Sequence, residues 1–399
     1  MFTEKQLERY ADVLWWGLTT AKKVPFKKND IILIRYNSSA VRLAEVLYAG
    51  LLSRGMQPVQ RMSPTATMER DFYLRASSRQ LVFLPPGEKE LMSRLNGSIY
   101  LHAPESITHL SDVDPKKIGK VAVAQKALRD VLNLREARGS FSWTLCVVPT
   151  TELAGQAGIS LEEYTRQVVQ ACFLRNSDPV SKWRYIYDTA RSLKKWLNSM
   201  KIKFLHIESN HIDLEVNPGE KRQWVGISGR NIPSFEIFIS PDWRGTRGKY
   251  HADQPSYRSG NRVEGIRLEF NKGKVIKVSA EAGLEFVKKQ LQMDKGAGKV
   301  GEFSLTDKRF SRINRFMANT LFDENYGGKF GNCHIALGSS YANTYAGDSK
   351  RLNHALKQKL GFNESALHWD LVNTEKKRVT AHLQTGKAVT IYENGRFTY

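Results

Sequence analysis

Asp30-Ile-Ile-Leu-Ile-Arg35, with Ser39 to Gly55 close behind it, is the stretch that decides the N-terminal fold. Four aliphatic residues between two charges read as a short strand buried on both faces. The following residues change to helical spacing, with Val41, Leu43, Ala44, Val46, Leu47 and Leu51 on the apolar face and Gly55 placed to cap the end. Upstream, residues 4–23 put Leu7, Tyr10, Ala11 and Leu14 on one face of another helix. Downstream, residues 79–84 and 97–102 read as further strands, and 161–174 and 179–200 as helices. Strands alternating with helices predict an α/β N-terminal domain with a largely parallel sheet over residues 1–200.

Beyond about residue 200 the pattern changes. Residues 204–208, 212–216, 223–227 and 235–240 read as strands. Ile266, Leu268 and Phe270 alternate with Arg267 and Glu269, Asn271-Lys272-Gly273 supplies a turn, and residues 275–278 complete a hairpin. A helix over 280–292 follows, and the glycine-rich stretches at 296–301 and 327–331 read as loops. The second domain, residues 201–399, is therefore predicted to be α+β.

Composition narrows the class. The chain has 399 residues, 41% of them apolar and 25% charged, as in ordinary globular proteins. Three cysteines, Cys146, Cys172 and Cys333, are too scattered for a disulfide framework or a thiolate zinc finger. The opening residues, with Glu4, Lys5, Glu8, Arg9 and Asp12, read as an amphipathic helix rather than a leader peptide. No apolar run reaches the length of a membrane span. These features predict a cytoplasmic protein. The net charge of +21 raises a nucleic-acid partner as an alternative. The basic residues are dispersed in pairs such as Lys22-Lys23 and Lys194-Lys195, as on a solvated surface, and no binding module accompanies them.

Three segments carry polar residues in apolar settings. Glu236 is the only charge within Phe235-Glu-Ile-Phe-Ile239, where it either faces solvent or meets a partner or metal. Asp323-Glu324 precedes a glycine loop and then Asn332-Cys-His334, a setting that suits divalent ions, which take carboxylate and imidazole ligands. Cys333 beside His334 is not read as a nucleophile, because neighbours on a strand face opposite ways. His368-Trp-Asp370 is the sharpest local signal: on a strand both polar side chains project to one face. The other seven histidines, at 102, 109, 206, 211, 251, 354 and 382, sit in no comparable acidic cluster and read as surface or core residues. Phosphate-binding loops, a nucleophile elbow and a His-Glu-x-x-His helix do not occur.

In order and surroundings these segments resemble the thermophilic-aminopeptidase family of metallopeptidases, which includes the T, S and II types. Asn231-Ile-Pro-Ser-Phe-Glu236 is similar to the family's Asn-Met-Pro-Thr-x-Glu, and Asp294-Lys-Gly-Ala-Gly-Lys-Val-Gly301-Glu302 to its segment ending in a bridging glutamate. Glu324, His334, His368 and Asp370 match further ligand positions, and Tyr341 a tyrosine near the reaction centre. Residues 148–158, 178–183, 212–214 and 392–397 also match, whereas 60–135 match weakly. The spacing from Glu324 to His334 exceeds that of the family's short form.

The resemblance implies a metallopeptidase C-terminal domain that removes N-terminal residues from peptides with a water activated by two divalent ions. Zinc or cobalt is implied first, manganese or magnesium as alternatives. The implied ligands are Glu236, Glu302, Glu324, His334, His368 and Asp370, with Glu302 shared between the ions. Glu302 or Glu324 would move the proton, and Tyr341 would donate a hydrogen bond to the developing oxyanion. A homodimer is also implied. A catalytically dead scaffold is disfavoured because every ligand position is filled.

Overall fold

The computed structural model describes residues 1–258, 261–348 and 351–399. It comprises two compact units, 1–183 with 228–233, and 184–227 with 234–399. The division falls inside the Pro179–Ser199 helix.

The first unit is built on a five-stranded sheet in which every adjacent pair is parallel. In spatial order its strands are Gln57–Met62, Ile31–Tyr36, Gly97–His102, Ser142–Val147 and Asn231–Ile232. Ile32, Leu33 and Ile34 are essentially unexposed, as the aliphatic run requires. The Glu4–Thr20 helix is capped by Thr3, which accepts from Gln6 N, while the Gln6 side chain accepts from Thr3 N. Gly55 follows the Val41–Ser53 helix at φ +73°, a conformation that glycine adopts without steric cost.

Residues 79–84 are not a strand. Ser78–Leu81 is one helical turn, because Ser77 and Gln80 form a reciprocal cap that outweighs the β propensity of Val82 and Phe83. Of the apolar run only Leu81 enters a core, beside Tyr73 and Val113, while Val82 and Phe83 are 41% and 66% exposed. The weakly matching 60–135 segment contains the helices Ala66–Arg75, Pro115–Ala124 and Lys126–Ala137.

Among the described residues, the strand pairs of the second unit are all antiparallel. An eight-stranded sheet includes Ile202–Glu208, Asp213–Val216 and Arg247–Ala252, and the Ile266–Asn271/Lys274–Ser279 hairpin lies at one edge. That hairpin turns through Lys272 and Gly273, both at positive φ. A four-stranded sheet has the order His368–Asn373, Asn332–Gly338, Val300–Thr306, Glu236–Ile239. All seven residues of each of its 300–306 and 332–338 strands are buried.

Three expectations need correction here. Residues 223–227 make one isolated bridge, at Val225, rather than a strand, since Gly226 and Ile227 sit at φ +130° and +49°. The helix expected over 280–292 is only Leu284–Leu291, entered through Gly283 at φ +76°. Val300 and Gly301, expected in a loop, begin a strand. Among the described residues no helix is long and apolar enough to cross a membrane.

Candidate metal centre

The four-stranded sheet explains how side chains 134 positions apart in sequence come together. Glu302 pairs with Ala336, which pairs with Asp370. One row along, Phe238, Ser304, His334 and Val372 are in register, and Glu236 pairs with Thr306. Because side chains alternate, this register places Glu236, Glu302, His334, His368 and Asp370 on one face. A bulge between Val300 and Glu302 shifts the register and sets where Glu302 enters the row. Gly301 has no room for a side chain there: a Cβ would lie 2.3 Å from the Gly338 carbonyl oxygen.

His334 Nε2 is 3.1 Å from Glu302 Oε1, 3.4 Å from Glu236 Oε2 and 4.0 Å from Asp370 Oδ1. His368 Nε2 is 3.4 Å from Asp370 Oδ1 and 4.0 Å from Glu302 Oε2. The His368 ring is aimed by its own Nδ1, which hydrogen-bonds to the Ser339 carbonyl at 2.8 Å. Ser304 Oγ donates to Glu236 Oε2 at 3.4 Å. Glu324 follows the Thr320–Asp323 helical turn and is 9% exposed, and Asn325 Nδ2 donates to its Oε1 at 3.4 Å.

So many carboxylates in a dry interior cannot all be charged without compensation. Desolvation, then repulsion from Glu302, pushes Glu236 up to about 8. Glu324 rises well above the carboxylate range, through desolvation and then the charges of Glu236, Asp370 and Glu302. For His334 and His368 desolvation opposes the charge, but contacts with Glu302 and Asp370 respectively outweigh it, and each ring rises to about 9. Asp370 is held below its usual value although desolvation opposes this, because His368 and His334 favour its charge. The Tyr341 ring centroid lies 4.6 Å from that of His368. Desolvation and then repulsion from Glu302 and Asp370 raise the Tyr341 phenol, which is therefore a hydrogen-bond donor at neutral pH.

The donor set fits a divalent ion. Glu236, Glu302 and His334 each offer an atom within 4.8 Å of the others. Glu302 Oε2 is buried and has no hydrogen-bond partner among the described residues. Such an orphaned carboxylate oxygen beside two imidazoles is the expected state of a ligand set described without its cation. The structure thus brings Glu236, Glu302, His334, His368 and Asp370 together, with Glu324 coupled to them electrostatically. Sequence reading missed Ser304, the Ser339 carbonyl and Arg258, whose Nη1 donates to the His368 carbonyl at 2.9 Å. None carries a distinctive local signature.

His211 and His251, read as surface or core residues, are respectively exposed and buried, but they do not stand alone. With Glu375 they form a second group whose donor atoms lie within 4.8 Å of one another. They are 40 residues apart in sequence and meet only through the larger sheet.

A family model described as thermophilic metalloprotease (M29) matches residues 3–397. Aminopeptidase 2 of Geobacillus stearothermophilus is 29% identical over 332 residues, covering 78% of each chain. Aminopeptidase T of Thermus aquaticus is 29% identical over 309 residues, covering 72% of this chain and 73% of its own. The solved structure of wild-type AmpT from Thermus thermophilus superposes with a TM-score of 0.80 over 100% of both chains at 22% identity, which establishes the shared fold.

Proposed function

The chain belongs to the thermophilic metalloprotease family M29, and from that premise we propose that it is an aminopeptidase working with two divalent ions that share Glu302. The observation that carries this reading is the disposition of the Glu302 carboxylate. Its Oε1 addresses His334 at 3.1 Å, whereas its unpartnered Oε2 lies toward His368 at 4.0 Å. Glu236 accompanies His334, and Asp370 accompanies His368. Two subsites with a common carboxylate follow, with Glu324 as a further ligand. The relatives named as aminopeptidases support the substrate class.

Bound divalent ions supply Lewis-acid polarisation of a carbonyl and a lowered pKa for water. The residues do the rest. Tyr341, protonated at neutral pH and 45% exposed, is positioned at the rim to donate to the oxygen that gains charge at the scissile carbonyl. Whichever of Glu302 and Glu324 is not fully used in coordination takes the proton from water and returns it to the departing amine. A carboxylate of the cluster also receives the substrate's free α-ammonium group, which restricts cleavage to the first peptide bond. The burial of Glu302 and His334, 2% and 0% exposed, keeps competing water away and strengthens each of these interactions. The reading includes zinc or cobalt as the ions, with manganese or magnesium as alternatives, peptides with a free N-terminus as substrates, a homodimer and a cytoplasmic location.

Glu302→Gln retains size and hydrogen-bonding capacity but loses the shared charge. Hydrolysis of leucine p-nitroanilide should fall by about 10³-fold or more, the scale of losing a principal catalytic group. Turnover within tenfold of the unaltered protein would reject the shared-carboxylate role.

A further inference from the structure

We propose that His211, His251 and Glu375 form a second divalent-cation site, separate from the candidate active centre and suited to Zn²⁺. The three side chains come from different parts of the same unit. His211 lies in the turn between the Ile202–Glu208 and Asp213–Val216 strands, and His251 in the Arg247–Ala252 strand. Glu375 lies just beyond His368–Asn373, the strand that carries His368 and Asp370.

The Glu375 carboxylate is held for the task. Its Oε2 accepts from Ser209 Oγ at 2.6 Å and from Asn373 Nδ2 at 3.2 Å. Ser209 also orders the turn carrying His211, accepting from the His211 and Ile212 amides at 3.3 and 3.0 Å. Asn373 also donates to the His251 carbonyl at 2.9 Å. Both supports engage Oε2 and leave Oε1 facing the two imidazoles: His211 Nδ1 contacts it, and His251 Nδ1 lies 4.0 Å away.

The independent pointer to a ligand is His251. It is 8% exposed, and its buried Nδ1 has no hydrogen-bond partner among the described residues. A buried ring nitrogen aimed at a carboxylate it does not reach is costly unless something lies between them. Two imidazoles and a carboxylate are a zinc-type donor set that leaves one coordination position open to solvent. In tetrahedral geometry two zinc-bound nitrogens lie about 3.3 Å apart. The present donor atoms all lie within 4.8 Å, and His211, with 55% of its side chain exposed, can rotate to close the difference.

The neighbouring cations do not oppose the site strongly. Arg267 is paired with Glu281 at 3.0 Å, and Lys377 Nζ donates to the Glu375 carbonyl. The Asp253 carboxylate is close by, accepting from the Thr374 amide and hydroxyl at 2.8 Å each. An ion here would tie three chain segments together and anchor the far end of the strand that presents His368 and Asp370.

The test is zinc stoichiometry measured by inductively coupled plasma mass spectrometry after equilibrium dialysis of chelator-stripped full-length protein. His211→Ala/His251→Ala should bind one equivalent fewer than the unaltered chain. Glu302→Gln/His334→Ala, which disables the active centre, should retain one tight equivalent. The single variants His211→Ala, at an exposed position, and Glu375→Gln, which preserves the Ser209 contact, guard against misfolding, with circular dichroism as the check. Each should lose the same equivalent while remaining folded. Equal stoichiometry in folded His211→Ala, Glu375→Gln and unaltered protein would overturn the proposal.

Discussion

Loading the metal-free protein with a divalent ion should expel protons, and the geometry of the cluster fixes roughly how many. Without metal, Glu236 is raised to about 8, and His334 and His368 to about 9 each, while Glu324 lies well above its usual range. At about pH 7.5 both imidazoles are then almost fully protonated and Glu236 about three-quarters so, about 2.7 protons in all, and the upward shift of Glu324 adds to this sum. Asp370, held below its usual value, adds none. Ligands must lose these protons before they coordinate, so full loading should release about 2.7 protons per chain or more. Isothermal titration calorimetry in buffers of contrasting ionisation enthalpy reads this number. Using the His211→Ala/His251→Ala background confines the signal to the active centre. Release should decline as the starting pH rises through about 8 to 9, where the groups have already ionised. Glu236→Gln should lower it by about 0.8 proton at about pH 7.5. A release below about one proton would refute the reasoning, since Glu236, His334 and His368 would then not be the ligands.

The same titrations set the pH dependence of stability. Folded values above the unfolded ones, about 4.3 for Glu and 6.5 for His, give a contribution to metal-free stability that is full below the unfolded values and is lost as pH rises from there to the folded values of about 8 and 9. Thermal melts of chelated protein should therefore decline across that window, and added metal should stabilise most at its upper end; a flat apo profile would contradict the burial of these groups. Tyr341→Phe removes one donor at the reaction centre and should lower kcat by about 10²–10³-fold with KM nearly unchanged, as for other oxyanion donors. A loss confined to KM would move Tyr341 from the transition state to substrate binding.

Much of this architecture was legible from spacing, for identifiable reasons. The Ile31–Tyr36 strand is an unbroken aliphatic run between charges and the Val41–Ser53 helix repeats with one clear period, and both lie against a core. His368 and Asp370 were readable because a two-residue separation on a strand shares a face. Gln57–Met62 was not, because it is a polar edge strand whose pairing with Ile31–Tyr36 is invisible locally. Glu302 looked like the end of a glycine loop; only its strand partners and the bulge behind it place it between two histidines. Short apolar runs misled where local hydrogen bonding prevailed, as at Ser77 and Gln80. His211, His251 and Glu375 follow no motif at all. Their meeting depends on antiparallel pairing across the larger sheet and on the chain's exit from the smaller one.

The central claim is that the buried carboxylate–imidazole cluster works by holding two divalent ions. It is tested most directly by titrating Zn²⁺ or Co²⁺ into chelator-stripped His211→Ala/His251→Ala protein while following leucine p-nitroanilide hydrolysis. The account predicts no turnover without metal and activity that saturates at two equivalents per chain. Hydrolysis that survives complete chelation, or saturates at one equivalent, would contradict it.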